Sequence, residues 1–199
     1  MQGMIRKAMF KEAAVCIDLE TQATTQDAVI LSIAATVFDT KTVADSEAVL
    51  RLNSFHVNIT EASNLALGRV QNQNTLDWWL QQSEAAKLAL REPEPISLAD
   101  ALYRFDQWMR SYPQRIVTVY ANSPSFDVAI LKHAYQQLGK PWPFQYFHER
   151  CVRTLKAICG NDLPHYVFEP QHSALSDALT EAALVQQILN RLRLSGVAC

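Results

Sequence analysis

The segment AAVCIDLET, residues 13–21, decides how the rest of this 199-residue chain is interpreted. Its apolar run from Ala13 to Leu19 is short and rich in Val and Ile, which predicts a buried β-strand. The strand ends in two acids, Asp18 and Glu20. Side chains two residues apart on a strand point to the same face of the sheet, so both carboxylates can reach one cation. Leu19, between them, is then expected to face the core.

Taken alone, this acidic pair is a weak sign of function, because carboxylates often lie at strand ends simply to meet water. Asp18, Glu20 and Thr21 also fall nearly in the frame of the DxDxT segment of phosphatases that form an aspartyl phosphate. That alternative lacks the second Asp, and Glu20 is a longer acid than such chemistry normally uses. A phosphatase of this type is therefore a distant alternative.

The remaining pattern predicts an antiparallel meander followed by alternating helices and strands. The expected strands are residues 13–19, 29–38, 50–59 and 116–120, and the expected helices are 74–89, 97–109, 126–138 and 173–194. Thr75 is the candidate cap of the first helix and Ser173 that of the last. The pattern predicts an α/β fold with a central mixed sheet flanked by helices. One domain over residues 1–199, with a core at about 13–192, is large enough to hold it.

Three residues in the second half of the chain carry further functional chemistry. Asp127 opens a predicted helix after the strand at 116–120, which places this acid at a sheet edge where ligands usually bind. Helix capping is the simpler explanation for an isolated Asp. In HSALSDA, residues 172–178, His172 precedes the closing helix and Asp177 lies about one turn inside it. An imidazole suits proton abstraction and a carboxylate suits a cation, whereas a surface His and a solubilising Asp are the alternative.

Four carboxylates gathered at one point would repel each other strongly unless they held divalent cations. We therefore interpret Asp18, Glu20, Asp127 and Asp177 as metal ligands. The net charge of −2 argues against a protein that binds long nucleic-acid duplexes, because such binding usually requires a basic face. It does not exclude an enzyme that holds a few terminal nucleotides, because bound cations would supply positive charge facing the phosphate.

No stretch of the sequence approaches membrane-spanning length, so no membrane partner is expected. The first fifteen residues lack the apolar centre of a signal peptide, because Lys11 and Glu12 interrupt them. The four cysteines show no CxxC spacing, and reduced thiols in a cytoplasm are the expectation.

The five candidate site residues resemble, in order and spacing, those of the DEDDh 3′-to-5′ exonucleases of the ribonuclease H-like superfamily. In that family an Asp-x-Glu strand, an Asp-opened helix and a His-x4-Asp segment form the site. Residues 75–79, 141–144 and the run RCVRTL beginning at Arg150 further resemble the branch that includes a phage exonuclease A and a mycobacterial 3′-5′ exoribonuclease. The resemblance covers most of residues 13–192. It implies that the four acids are metal ligands and that His172 is the general base. Relatives often have Asp where Cys151 stands.

The resemblance implies a ribonuclease H-like fold and a 3′-5′ exonuclease that uses two divalent cations, Mg²⁺ or Mn²⁺. The expected partner is the 3′ end of RNA or DNA, with single strands favoured, and the expected product is a nucleoside 5′-monophosphate. Leu19, Phe126 and Trp78 are the candidate contacts to the terminal base. Two alternatives stay open: a catalytically silent ribonuclease H-like module that binds nucleic acid or a protein partner, and an endonuclease or phosphatase using the same acids. A homodimer, as many relatives form, is compatible with the composition.

Overall fold

A single mixed sheet forms the centre of the computed structural model, which describes residues 10, 12–43, 47–113, 115–160 and 167–196. Within these ranges the sheet has five strands in the spatial order β3-β2-β1-β4-β5. They are β1 (Ala13–Thr21), β2 (Ile30–Asp39), β3 (Ser54–Asn58), β4 (Thr118–Ala121) and β5 (Glu149–Cys151). The β1–β2 and β2–β3 pairs are antiparallel, and the β1–β4 and β4–β5 pairs are parallel. The predicted α/β class with a mixed sheet is confirmed.

Helices cover both faces of this sheet. They are α1 (Glu47–Leu52), α2 (Glu61–Leu65), α3 (Gln73–Leu80), α4 (Glu84–Ala89), α5 (Leu98–Arg110), α6 (Asp127–Gln137), α7 (Val152–Cys159) and α8 (Ala174–Leu194), with a short 3₁₀ helix at Tyr146–His148. In the part of the chain that the structure describes, no helix is both long and apolar enough to cross a membrane.

Strand β1 is buried on both faces, which explains why its sequence is continuously apolar rather than alternating. On one face Val15 and Ile17 pack in a core cluster with buried residues of α5 and α6. On the other face Ala14 and Cys16 pack with buried residues of α8. Since side chains alternate along a strand, the acids at even positions at the end of β1 continue the face that is covered by α8.

The predicted strand at residues 50–59 was wrong at its start. Residues 47–52 form the short helix α1, and the strand begins only at Ser54. Leu50, a residue of α1, is buried in the core cluster beneath α8, whereas Leu52 is exposed. The apolar spacing in this segment therefore fits one helical turn as well as it fits a strand.

The predicted helix at residues 74–89 is two helices, α3 and α4, separated by residues 81–83. Ser83 begins α4, because its side chain accepts a hydrogen bond from the Ala86 N–H at 3.1 Å. The predicted cap at Thr75 was wrong: the Asn72 side chain caps α3 by accepting from the Asn74 N–H at 2.9 Å. Ser173 does precede α8, but its side chain makes no capping hydrogen bond. Helices α2 and α7 and the three-residue strand β5 were not predicted.

Candidate active site

Three predicted acids meet at the end of β1. Asp18, Glu20 and Asp177 each offer a carboxylate oxygen, and these oxygens lie within 4.8 Å of one another. Asp18 and Glu20 come from the β1 face that is covered by α8, and Asp177 lies in the first turn of that helix. Three carboxylate oxygens at such separations are a donor set that fits a divalent cation.

Asp127 approaches the same place from α6, of which it is the first residue. Parallel pairing of β4 with β1 carries the chain to this edge of the sheet. The side chain is 3% exposed, and its Oδ1 accepts a hydrogen bond from the Leu19 N–H at 3.3 Å. Asp127 is not part of the tight group of three oxygens, but it lines the cavity into which they point.

A cavity of about 500 Å³ joins the five predicted catalytic residues. Its lining consists of Asp18, Leu19, Glu20, Asn122, Ser123, Phe126, Asp127, Arg153, Lys156, His172, Asp177, Thr180 and Glu181. Residues from β1, α6, the segment before α8 and α8 itself therefore converge on one solvent-accessible space.

His172 lies at the exposed edge of this cavity, immediately before α8. Its φ of 59° is in the left-handed region, which costs a non-glycine residue about 1 kcal/mol. Such strain persists where the surrounding structure holds the residue in place. The His172 ring packs edge-on against Trp78, with ring centroids 4.9 Å apart and planes at 80°.

The acids of this cavity have raised pKa values. Burial, followed by repulsion from Asp177 and Asp127, raises the pKa of Glu20 to about 8. Burial raises the pKa of Asp127 to about 7, although backbone hydrogen bonds and the nearby Arg153 act in the opposite direction. The pKa of Asp18 lies well above its usual range, first through burial and then through repulsion from Asp127 and Glu20. Burial also raises the pKa of Asp177. A bound divalent cation would relieve this repulsion.

Glu181 is a fifth acid of the cavity that was not predicted. It lies one turn after Asp177 on α8, is 6% exposed, and accepts a hydrogen bond from the Cys16 thiol at 3.6 Å. Burial, with repulsion from Asp127, raises its pKa to about 8. The sequence contained a signal for it, because residues four apart on a helix share a face and Asp177 was already identified.

A second cavity of about 340 Å³ adjoins the first and shares Leu19, Glu20 and Phe126 with it. The other lining residues are Thr21, Thr24, Asn74, Thr75, Trp78 and Trp79. All three residues predicted to contact substrate line this space: Leu19 is buried, Phe126 is half-buried and Trp78 is 39% exposed. Trp79 is buried, and its Nε1 donates to the Thr21 carbonyl at 2.8 Å, which holds α3 against the end of β1.

Cys151, the position where relatives often have Asp, lies in β5 and does not line either cavity. It pairs with Ala121 of β4, and its thiol donates to the Asn122 carbonyl at 3.4 Å. The residue therefore contacts the loop that leads to Asp127 rather than the acids themselves.

Solved structures with a similar fold are nucleases. Zinc-bound exonuclease I of E. coli in complex with single-stranded DNA has a TM-score of 0.61 at 12% identity, over 92% of this chain and 42% of that one. Cell-death related nuclease 4 has a TM-score of 0.58 at 13% identity, over 90% of this chain and 64% of that one. The nuclease domain of 3′hExo, a DEDDh family member bound to rAMP, has a TM-score of 0.55 at 10% identity, over 94% of each chain.

At these identities the likeness concerns the fold, and it confirms the predicted ribonuclease H-like architecture. The chain spans less than two thirds of the length of the first two of these proteins. A comparison with curated proteins finds no match. Residues 13–189 match the family described as the 3′-5′ exoribonuclease Rv2179c-like domain. That match covers most of the chain and includes every residue of the acidic cavity. The chain therefore belongs to the Rv2179c-like family of 3′-5′ exoribonuclease domains.

Proposed function

We propose that the protein is a 3′-5′ exonuclease that depends on two divalent cations and removes nucleoside 5′-monophosphates from the 3′ ends of single-stranded RNA or DNA. The observation that carries the proposal is the meeting of Asp18, Glu20 and Asp177, with oxygens within 4.8 Å of one another, in a cavity that Asp127 and His172 also line. An acidic cluster of this kind favours a hydrolase that approaches phosphate through metal ions rather than through its own side chains.

Asp18, Glu20, Asp127 and Asp177 would hold the two ions, Mg²⁺ or Mn²⁺, since these cations prefer carboxylate oxygens. When bound, such ions activate a water molecule and stabilise charge on the phosphate and on the leaving 3′ oxygen. The protein's part is to hold its oxygens in place before the substrate arrives. The hydrogen bond from the Leu19 N–H to Asp127 serves this purpose, because it fixes one carboxylate relative to the strand that carries the others.

His172 is the proposed general base. A neutral imidazole can accept the proton of the attacking water at a ring nitrogen near neutral pH. Its ring packs against Trp78, and this contact supports a position of the imidazole at the edge of the acidic cavity.

The second cavity is the proposed site of the terminal base. Leu19 and Phe126 line both cavities, so a base between them would leave its phosphate beside the acids. Trp78 offers an aromatic edge in the same space. Stacking on such side chains is available to an unpaired base, which supports a single-stranded 3′ end as the substrate.

The test is a time course with ribo- and deoxyribo-oligonucleotides that carry a fluorophore at the 5′ end, in the presence of Mn²⁺. We expect a ladder that shortens by single nucleotides, and no shortening with Asp18→Asn. Binding without shortening would indicate a silent module. Internal cuts would indicate an endonuclease, and release of inorganic phosphate would indicate a phosphatase.

Three other predictions stay open to test: a homodimer, a cytoplasmic location and a single domain over residues 1–199. Sedimentation velocity tests the first of them.

A further inference from the structure

Two cations face the acidic cavity from α7. Arg153 and Lys156 lie three residues apart on this helix, so their side chains share one face of it. Both line the cavity that holds Asp18, Glu20 and Asp177. The metal site and the terminal-base site of the proposed function use neither residue.

The position of these cations is set by contacts with Asn122, the residue that follows β4. The Arg153 N–H donates to the Asn122 carbonyl at 3.2 Å, and Lys156 Nζ donates to Asn122 Oδ1, also at 3.2 Å. The first turn of α7 is therefore fastened to the same edge of the sheet from which Asp127 approaches. Lys156 is half-buried by this arrangement, whereas Arg153 is exposed.

Both cations lie close enough to the acids to influence them without pairing with them. Arg153 opposes the burial-driven rise in the pKa of Asp127, and Lys156 opposes the corresponding rise in the pKa of Glu181 and Asp177. Among the described residues, neither cation takes part in an ion pair within 4.0 Å. Their side chains therefore retain N–H groups that can donate to a phosphate oxygen.

The order of the strands determines which part of a substrate meets these cations. The proposed base cavity lies at the end of β1, against α3. Helix α7 follows β5, which lies beyond β4 from β1. Arg153 and Lys156 line the acidic cavity but not the base cavity, so a strand whose terminal nucleoside occupies the base cavity leaves these two cations available to its next phosphate.

We propose that Arg153 and Lys156 bind the phosphodiester immediately 5′ of the scissile linkage and so position the departing strand. This inference rests on the proposed function, because it takes the direction of the substrate from the base cavity. Two cations at this point also explain how a protein with a net charge of −2 holds a polyanion at a site rich in carboxylates. Sequence readout is not implied, because phosphate contacts position a nucleic acid without distinguishing its bases.

The test neutralises one phosphate of the substrate at a time. A single-stranded octanucleotide with 2-aminopurine at its 3′ end reports the first cleavage as a rise in fluorescence. It is compared with the same strand carrying an uncharged methylphosphonate at the second linkage from the 3′ end, or at the fourth. The protein variants are Arg153→Gln, Lys156→Gln, the charge-conserving Lys156→Arg, and Arg104→Gln. The last is a matched control, because Arg104 is exposed on α5 at the other face of the sheet.

For the wild-type protein and Arg104→Gln, we expect methylphosphonate at the second linkage to lower kcat/KM about tenfold, mainly by raising KM. The reason is that charge-assisted hydrogen bonds to this phosphate are lost. The same change at the fourth linkage should have little effect. Arg153→Gln and Lys156→Gln should process the natural strand more slowly and lose most of their sensitivity to the second linkage, and Lys156→Arg should regain it.

Two results would overturn the inference. If the variants slow the natural and the neutralised strands by the same factor, the cations serve only to balance the charge of the acids. If the wild-type protein is insensitive to the second linkage, no group binds that phosphate. In both cases nucleotide release by the wild-type protein would leave the proposed function intact. Failure of the wild-type protein to release any nucleotide would instead remove the proposed function and this inference with it.

Discussion

Glu181→Gln should stabilise the metal-free protein relative to the wild-type protein, and the difference in the free energy of unfolding should grow as the pH rises. Burial raises the pKa of Glu181 to about 8 in the folded protein, whereas a glutamate in an unfolded chain titrates near about 4.3. The folded state therefore holds a proton that the unfolded state has already released. The stability contributed by this group is complete below about pH 4 and is lost as the pH rises towards 8, at about 1.4 kcal/mol per pH unit. Between pH 5.5 and 7.5 the loss is about 3 kcal/mol, and glutamine does not incur it.

The assay is urea unfolding of the chelator-treated protein at pH 5.5 and 7.5. Glutamine keeps an acceptor for the Cys16 thiol, so we expect the variant to be more stable than the wild-type protein, by about 3 kcal/mol more at pH 7.5 than at pH 5.5. Glu94→Gln, at an exposed position between α4 and α5, is the control and should change neither value. An identical loss of stability with pH in Glu181→Gln and wild-type protein would refute the reasoning, because Glu181 would then be ionised in the folded state without cost.

Three further outcomes are expected. Asp18→Asn should abolish nucleotide release while stabilising the metal-free protein, because it removes a cation ligand and relieves repulsion; undiminished activity would contradict the ligand assignment. His172→Ala should slow release by about 10² to 10⁴ through loss of the base, with little change in metal affinity by calorimetry, and an unchanged rate would remove His172 from the mechanism. Mg²⁺ or Mn²⁺ should raise Tm at pH 7.5 in the wild-type protein but hardly in Asp18→Asn, and scanning fluorimetry that shows equal shifts would place the ions elsewhere.

The acidic site was predictable because each of its parts obeys a short-range rule. The two-residue period of a strand places Asp18 and Glu20 on one face. The beginnings of two helices account for Asp127 and Asp177, which follow recognisable changes from strand or loop to helix. The family resemblance then predicted that the three segments lie together in one site, which the periodicity of a single strand or helix cannot predict. Glu181 was within reach of the same logic, since it repeats the position of Asp177 one turn later.

The position of Lys156 and the setting of His172 could not be predicted in this way. Lys156 is placed by a side chain 34 residues earlier, and the ring of His172 is placed by Trp78, far away in the sequence. Neither contact produces a periodic signal. Strand β5, which positions α7, has three residues, too few to show an alternating pattern. The errors at residues 50–53 and 81–83 have a related cause, because a single helical turn and a brief interruption both fit the apolar spacing.

The acids come from β1, α6 and α8, and this distribution along the chain has a consequence for synthesis on the ribosome. A growing polypeptide presents Asp18 and Glu20 before Asp127, and the first turn of α8 emerges only after all five described strands have been made. If the carboxylates hold the cations as proposed, a nascent chain has no complete site until Asp177 is translated and α8 docks. Completion of the site is then coupled to the docking of α8, the last of the described elements to be made.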